Sequence, residues 1–135
     1  LAFALAGEGS VRRAAGPEIG WIAVRLTVDS DLLGRAGSDL FMFSSHFDEV
    51  CDLPPAFEVL ASTGSCAVQA FRLAGRPVWG IQAHPEIDAP TGRRFLQDLL
   101  DRGFKGREAL SAALGQPPRD SGAIGRIVRT FLAAG

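Results

Sequence analysis

Each of the two histidines in the chain lies two residues before a carboxylate. His84 precedes Glu86, and His46 precedes Asp48. A carboxylate that accepts a hydrogen bond from one imidazole nitrogen fixes the tautomer and leaves the other nitrogen as a base. The pair of His84 and Glu86 is therefore typical of a catalytic triad, in which a carboxylate orients the histidine base that activates a nucleophile.

Pro85 restricts the backbone at the first of these pairs. A proline disfavours the helical region for the residue before it and has no N–H to offer a sheet. We therefore expect His84 to be extended at the end of a strand formed by Val78–Ile81, with the Glu86 carboxylate on the same side and within hydrogen-bonding distance. Open α/β sheets bind ligands just beyond the carboxyl ends of their strands.

The second polar segment, Ser45–Asp48, follows another apolar run, Leu40–Phe43. If the two runs are strands that end at the same edge of a sheet, His46 lies near His84 and both polar segments line one cleft. The same region also offers the donor set of a metal-dependent hydrolase or oxygenase, so this alternative stays open. Its four side chains are His46, Asp48, His84 and Glu86.

The pattern of apolar residues predicts the elements that hold these segments. An apolar helix capped by Gly7 is predicted at Leu1–Ala6, and a short helical stretch is predicted at Asp29–Leu33. Strands are predicted at Val11–Ala15, Ile19–Val28, Leu40–Phe43, Phe57–Ala61, Ala67–Leu73 and Val78–Ala83, the last three as a meander. From Pro90 onward the period changes and predicts three helices.

Composition places the chain among folded globular domains. It has 135 residues, of which 47% are hydrophobic and 21% charged, and its 14 basic and 15 acidic residues give a net charge of -1. Neither nucleic acid nor a membrane is an expected partner, because no broad electrostatic field or long apolar run is present. Cys51 and Cys66 have no metal-site spacing, and we expect two thiols and a cytoplasmic location.

Several strings resemble, in order and spacing, the second half of a class I (triad) glutamine amidotransferase domain of the kind found in GMP synthase. The most specific is Val78–Glu86, which reads Val-Trp-Gly-Ile-Gln-Ala-His-Pro-Glu. The others are Pro17–Trp21, Ser45–Val50, Leu53–Pro54, Val59–Ser62 and Gln69–Arg72. The resemblance covers residues 1–86.

The resemblance implies a flavodoxin-like α/β fold that is incomplete at its N-terminus. We expect a mostly parallel sheet with an antiparallel meander and C-terminal helices. Residues 1–88 would be the second half of the amidotransferase domain, and residues 89–135 a helical extension of the same domain. Glu18 and Gly20 match a family pattern near the site, where we expect them to have structural roles.

The resemblance also implies a reaction, in which the side-chain amide of L-glutamine is hydrolysed through a cysteine thioester. His84 would be the general base and Glu86 its orienting carboxylate. The segment formed by Ser45, His46 and Phe47 would hold the substrate, mostly through main-chain groups. The ammonia would pass to an acceptor synthetase, on the same chain or on a separate one, and no cofactor or metal is expected.

The sequence departs from the family pattern in one respect. No cysteine lies in a Gly-x-Cys-x-Gly string, and Leu1–Ala6 matches the helix that follows this nucleophile elbow in the family. Cys51 lies beside acidic residues and Cys66 lies within a hairpin, so we expect both to be structural. We therefore expect a fragment that is inactive alone, and a non-catalytic relative that binds a partner stays an alternative.

Overall fold

A computed structural model describes residues 1–7 and 10–134 of the chain. Within them a short helix precedes five strands, and three helices follow. The bounds are α1 Ala2–Ala6, β1 Val11–Leu26, β2 Asp39–Val50, β3 Phe57–Ser62, β4 Ala70–Leu73, β5 Trp79–Ile81, α2 Ala89–Asp101, α3 Arg107–Gly115 and α4 Ile124–Ala133. The predicted initial helix, the meander and the three C-terminal helices are confirmed.

The five strands form one sheet in the order β2-β1-β3-β4-β5, and each described pairing is antiparallel. The expectation of a mostly parallel sheet is therefore wrong for the described residues. Parallel neighbours need a crossover of about a dozen residues or more, usually a helix. Only turns and loops connect β1 through β5, so these strands pair antiparallel.

The first two predicted strands are one long strand, β1. Its pairing with β2 is interrupted by a bulge, because the register shifts between Arg13 and Glu18. Four residues of β1, 14–17, lie opposite the single residue Phe47 of β2. The bulge allows both halves of β1 to pair with the same neighbour.

The helical stretch predicted at Asp29–Leu33 is wrong. The chain forms a tight loop there, in which the backbones of Ser30 and Gly34 exchange two hydrogen bonds of 2.8 and 2.7 Å. The Asp29 carboxylate accepts a hydrogen bond from the backbone N–H of Ala36, so it closes the loop and caps no helix. Local hydrogen bonds from Asp and Ser compete with helix formation in this way.

Adjacent residues of β2 belong to different cores, because successive side chains of a strand point to opposite faces. Met42 packs in a cluster with Leu26 and Leu60, whereas Phe43 packs in a second cluster with Leu96 and Leu110 of α2 and α3. A third cluster joins α1 to the sheet through Ala2, Val50, Val68 and Phe71.

The sheet curls until the segment after β5 meets the outer edge of β2. The backbone N–H of His84 donates a 2.7 Å hydrogen bond to the carbonyl oxygen of Phe43. Further along β2, Val50 forms an isolated bridge with Val68. These contacts place the segment after β5 beside Phe43, and the segment before β4 beside Val50 at the end of β2.

Helix α4 contacts the rest of the fold along one side only. None of its residues is buried, and Phe131 and Leu132 are 59% and 73% exposed. Arg126 donates to the carbonyl oxygen of Leu33 at 2.7 Å, and Thr130 donates to that of Asp31 at 3.1 Å. Among the described residues, no helix has both the length and the apolarity that a membrane span requires.

Two glycines permit close packing. Gly80 lies against the ring of buried Phe71, where a Cβ atom would overlap the ring, so it has a packing role. Gly20 has φ +100°, and a Cβ atom there would lie 2.8 Å from the Cβ of Ala113. Helix α3 therefore lies directly on β1 only because Gly20 has no side chain.

We expect Gly20→Ala to lower the free energy of unfolding by about 2 to 3 kcal/mol, because the variant combines backbone strain with overpacking. Gly16→Ala in the same strand is the control, since nothing lies within 4 Å of a Cβ at Gly16. Urea unfolding measures both variants. Equal stability of the two would contradict the close contact, and Ala113→Gly should restore part of the loss in Gly20→Ala.

Candidate functional site

The pair predicted from spacing is formed in the structure. His84 Nδ1 lies 2.9 Å from Glu86 Oε1, which confirms the expected distance. The side chains are 41% and 57% exposed, so the ring is accessible and not sealed in the core. Because Glu86 engages Nδ1, Nε2 is the nitrogen left to exchange a proton with a reactant.

The backbone around this pair turns and does not stay extended. The N–H of Ile87 donates to the carbonyl oxygen of His84 at 3.2 Å, which places Pro85 at a turn position that suits its fixed φ. The turn leads directly into α2, whose N-cap Asp88 accepts a hydrogen bond from the N–H of Thr91 at 2.9 Å. Hydrogen bonds from the side chain and the backbone of Thr91 lower the pKa of Asp88.

The expectation that the segment Ser45–Asp48 follows a strand is wrong, because the segment lies inside β2. β2 continues to Val50, because the residues after the apolar run pair with the first half of β1. His84 lies opposite Phe43, so both belong to one face of the curled sheet, whereas His46, three residues further along, belongs to the other face. The two imidazole rings therefore contact different sets of residues.

The backbone of Ser45 faces the same edge of β2 as the His84 contact. Phe41 and Phe43 direct backbone groups to this outer edge, toward Ser121 and His84 respectively. Backbone groups of an antiparallel strand alternate between its two edges, so the N–H and carbonyl of Ser45 also point outward. Main-chain hydrogen-bonding groups thus lie on one edge with the His84 backbone.

His46 contacts a buried carboxylate. Its Nε2 lies 3.0 Å from Oε2 of Glu18, and its Nδ1 lies 2.9 Å from the carbonyl oxygen of Asp48. The side chain of His46 is only 13% exposed, so it links β1 to β2 and offers little surface to a ligand.

Three further side chains donate to the Glu18 carboxylate. Thr63 and Ser65 each donate a hydroxyl to Oε1 at 2.5 Å, and the Gln69 amide donates to Oε2. Burial alone would raise the pKa of Glu18, but His46, Ser65 and Thr63 together lower it to about 2. Glu18 is therefore a buried carboxylate that joins β1, β2 and the loop before β4, as its expected structural role requires.

The amino-acid sequence does not single out Thr63, Ser65 and Gln69 as partners of Glu18. The signal available was Glu18 itself, since a carboxylate within an apolar strand must find hydrogen-bond donors if it is buried. The sequence does not say which polar residues supply them, because the donors are 45 to 51 positions away.

Among the described residues, no group of three or more His, Cys, Asp or Glu side chains is arranged to hold a metal ion. Of the four candidate ligands, His84 and Glu86 contact each other, whereas His46 and Asp48 each contact a residue of β1. The carboxylate of Asp48 lies 3.3 Å from Arg13, and His46 contacts Glu18. The metal-dependent alternative therefore lacks a site in this part of the chain.

The two cysteines have the properties of structural thiols. Both are buried, and burial is the largest cause that raises the pKa of each. Asp52 raises the pKa of Cys51 further through a hydrogen bond, and the Cys66 sulfur accepts a hydrogen bond from the Gln82 amide at 3.0 Å. Neither environment favours the thiolate that a nucleophile requires.

Sequence comparison relates the chain to GMP synthases. It is 35% identical over 98 residues to the glutamine-hydrolysing GMP synthase of Thermosynechococcus vestitus, a match that covers 69% of this chain and 18% of that protein. It is 33% identical over 100 residues to a glutamine-hydrolysing GMP synthase subunit from Methanothermobacter thermautotrophicus, covering 73% of this chain and 54% of that protein. No protein-family model matches the chain.

Solved structures share the fold. A glutamine amidotransferase from Thermotoga maritima has a TM-score of 0.65 at 24% identity and covers 91% of this chain and 54% of its own. One from Methylobacillus flagellatus has a TM-score of 0.59 at 22% identity and covers 92% and 51%. The resemblance to a GMP-synthase-like class I amidotransferase domain is confirmed, and the chain spans about half or less of these relatives.

We expect stability to fall in acid because of Glu18. Its folded pKa of about 2 lies below its ordinary value of 4.5, so the stabilisation is complete above pH 4.5 and is lost as the pH falls toward 2. The loss should reach at most about 3 kcal/mol. Glu18→Gln should remove this part of the pH dependence in urea unfolding, whereas Asp98→Asn on the exposed side of α2 should keep it. An unchanged slope in Glu18→Gln would contradict the assignment.

Proposed function

We propose that this chain, a relative of the GMP synthases, supplies the general base and the orienting acid of a class I glutamine amidotransferase site. The reaction is hydrolysis of the L-glutamine side-chain amide to glutamate and ammonia. The observation that carries the proposal is the 2.9 Å contact between His84 and Glu86 within the Trp-Gly-Ile-Gln-Ala-His-Pro-Glu string, fixed to the edge of β2.

In the proposed reaction the His84 ring moves the protons. Nε2 takes the proton of a cysteine thiol, the thiolate attacks the amide carbon, and the imidazolium returns the proton to the departing ammonia. A water molecule, activated by the same nitrogen, then hydrolyses the thioester to release glutamate. Glu86 holds the ring by its Nδ1 and stabilises the imidazolium each time it forms.

The cysteine in this mechanism belongs to a segment outside residues 1–135. Cys51 and Cys66 are unsuited to it, since burial raises the pKa of both thiols. Oxyanion donors, which stabilise the charge that develops on the amide oxygen, would come from the same elbow as the nucleophile. Residues 1–135 would then contribute only the half of the site that carries base and acid.

We propose Ser45, His46 and Phe47 as the substrate-binding segment. The support for Ser45 is the direction of its backbone, which faces the edge of β2 that carries the His84 contact. For His46 only a main-chain role fits, because its ring contacts Glu18 and Asp48. The α-amino and α-carboxylate groups of L-glutamine are suited to such main-chain carbonyl and N–H groups.

The division of the chain follows from the same proposal. Residues 1–88 carry the amidotransferase motifs, and residues 89–135 extend the domain with helices. Contacts of α2 and α3 with the sheet support one domain, since Phe95 packs edge-on against Phe43 at 6.0 Å and Ala113 lies on Gly20. An ammonia-accepting synthetase is the proposed partner, and a cytoplasmic location stays a prediction.

We expect the purified 135-residue chain to release no measurable ammonia from L-glutamine, because base and acid assist an attack but cannot replace the nucleophile. Activity should appear when residues 1–135 follow an amidotransferase segment that carries a Gly-x-Cys-x-Gly elbow. In that polypeptide His84→Ala should lower turnover by about 10⁴-fold or more, and Glu86→Gln by a smaller factor. Enzyme-coupled glutamate detection measures both.

The matched control is the double variant Cys51→Ser, Cys66→Ser in the same polypeptide, which should keep its activity. Ammonia release by the isolated chain that persists in this double variant and is lost in His84→Ala would contradict the mechanism. Full activity of His84→Ala in the elbow-bearing polypeptide would contradict the assigned base and would favour a binding module without catalysis.

A further inference from the structure

A groove of about 470 Å³ lies beside the proposed substrate segment, between the bulge of β1 and the loop that follows α2. We call it the basic-aromatic groove because of the side chains that line it. They are Arg13, Phe47, Arg102, Phe104 and Lys105, with the backbone of Gly103 between them. The chain as a whole has a net charge of -1, so this concentration of three cations is local.

The two aromatic rings form the floor of the groove. The rings of Phe47 and Phe104 lie 5.6 Å apart, and the guanidinium of Arg13 lies 5.0 Å from the centre of the Phe47 ring. Phe104 is 43% exposed, so its ring is accessible to a partner. The floor therefore offers an apolar contact of two rings, surrounded by cations.

The cations are available to a partner. In the part of the chain that the structure describes, no salt bridge involves Arg102 or Lys105, and both side chains are exposed. Arg13 forms an ion pair with Asp48 at 3.3 Å, and both members of this pair are exposed. An exposed pair of this kind contributes little to stability, so Arg13 can exchange its carboxylate partner at low cost.

The loop that presents Phe104 has a defined backbone. After α2, Gly103 adopts φ +68° and donates to the carbonyl oxygen of Leu100 at 3.0 Å, and Phe104 donates to that of Leu99 at 3.0 Å. This is the hydrogen-bonded ending that glycine gives to a helix, and it satisfies the last carbonyls of α2. Phe104 is thus held in its exposed position by the helix terminus.

We propose that the basic-aromatic groove docks an acidic segment of the ammonia-accepting synthetase. The inference rests on the proposed function, because it needs a partner that consumes the ammonia. Phe47 belongs both to the groove and to the proposed substrate segment, so a protein docked here lies next to the reaction centre. Carboxylates of the partner pair with Arg102 and Lys105, and one apolar side chain covers the rings.

The shape of the groove favours a protein over a small anion. Small-molecule sites bury most of the ligand's surface, with a few converging polar groups. Here the three cations are exposed around two rings, which corresponds to the polar rim and aromatic centre of a protein interface. Charges in such a rim steer the partner and fix its orientation.

The test uses the ¹⁵N-labelled 135-residue chain and the peptide Glu-Glu-Phe-Glu-Glu with blocked ends as the probe. We expect the peptide to shift the amide signals of Gly103, Phe104 and Lys105, and to bind more weakly as rising salt screens the charges. The variant R102E/K105E should bind it about tenfold more weakly. R35E/R76E is the matched control, because it makes the same change in net charge at exposed positions outside the groove.

Three results would overturn the proposal: no shift in the wild-type chain, equal binding by R102E/K105E, or an equal loss in R35E/R76E. A fourth is adenosine monophosphate shifting the groove signals while the peptide does not, which would make the groove a small-anion site. The glutaminase assay of the elbow-bearing polypeptide separates the two proposals. In the elbow-bearing polypeptide, R102E/K105E should leave the basal release of ammonia unchanged. A loss of peptide binding in this variant would therefore be distinguishable from a loss of catalysis.

Discussion

The backbone hydrogen bond from His84 to Phe43 joins the two ends of the curled sheet, and the candidate site depends on it. Strand β5 has only three residues, so pairing with β4 alone would hold the following segment weakly. The contact with β2 fixes His84 from a second side, just before the turn at Pro85. The imidazole is therefore positioned by the backbone of two strands, and Glu86 adjusts only its orientation.

Glu18 shows how a neighbouring part of the β1–β2 pair is held, three register positions from Phe43. A buried carboxylate is costly unless hydrogen bonds compensate for the lost water. Here hydroxyls from Thr63 and Ser65, an amide from Gln69 and the His46 ring supply that compensation. The bulge in β1 makes this arrangement possible, because it brings Glu18 opposite His46 while the strand continues on both sides. The bulge in β1 therefore allows β1 and β2 to pair on both sides of it.

The sequence was sufficient for most features that depend on neighbours in the chain, with the loop at Asp29–Leu33 as the exception. The helical stripes of α2 and α4, the meander and the His84–Glu86 distance follow from short-range periodicity and spacing. Predictions of features that depend on residues distant in the chain were wrong or were not made. The end of β2 was predicted too early because its polar half pairs with β1, and the sheet was expected to be parallel because the family resemblance, not the chain between β1 and β5, suggested it. The donors to Glu18 were not predicted because they are 45 to 51 positions away in the chain.

Helix α4 has a different relation to the fold from α2 and α3. It buries none of its own residues and is held by side-chain hydrogen bonds from Arg126 and Thr130 to one loop. Ile127 packs against the cluster that contains Met42, and Phe131 meets the Trp79 ring edge-on, but no residue of α4 is fully buried, so detaching α4 should cost less free energy than global unfolding. Its amides should exchange with solvent through local opening, while those of β2 and β1 exchange only when the whole domain unfolds. Helix α4 should therefore open separately from the strand pair that carries the candidate site, and cleavage after Ala123, which keeps the contact of Ser121 with Phe41, should leave that strand pair intact.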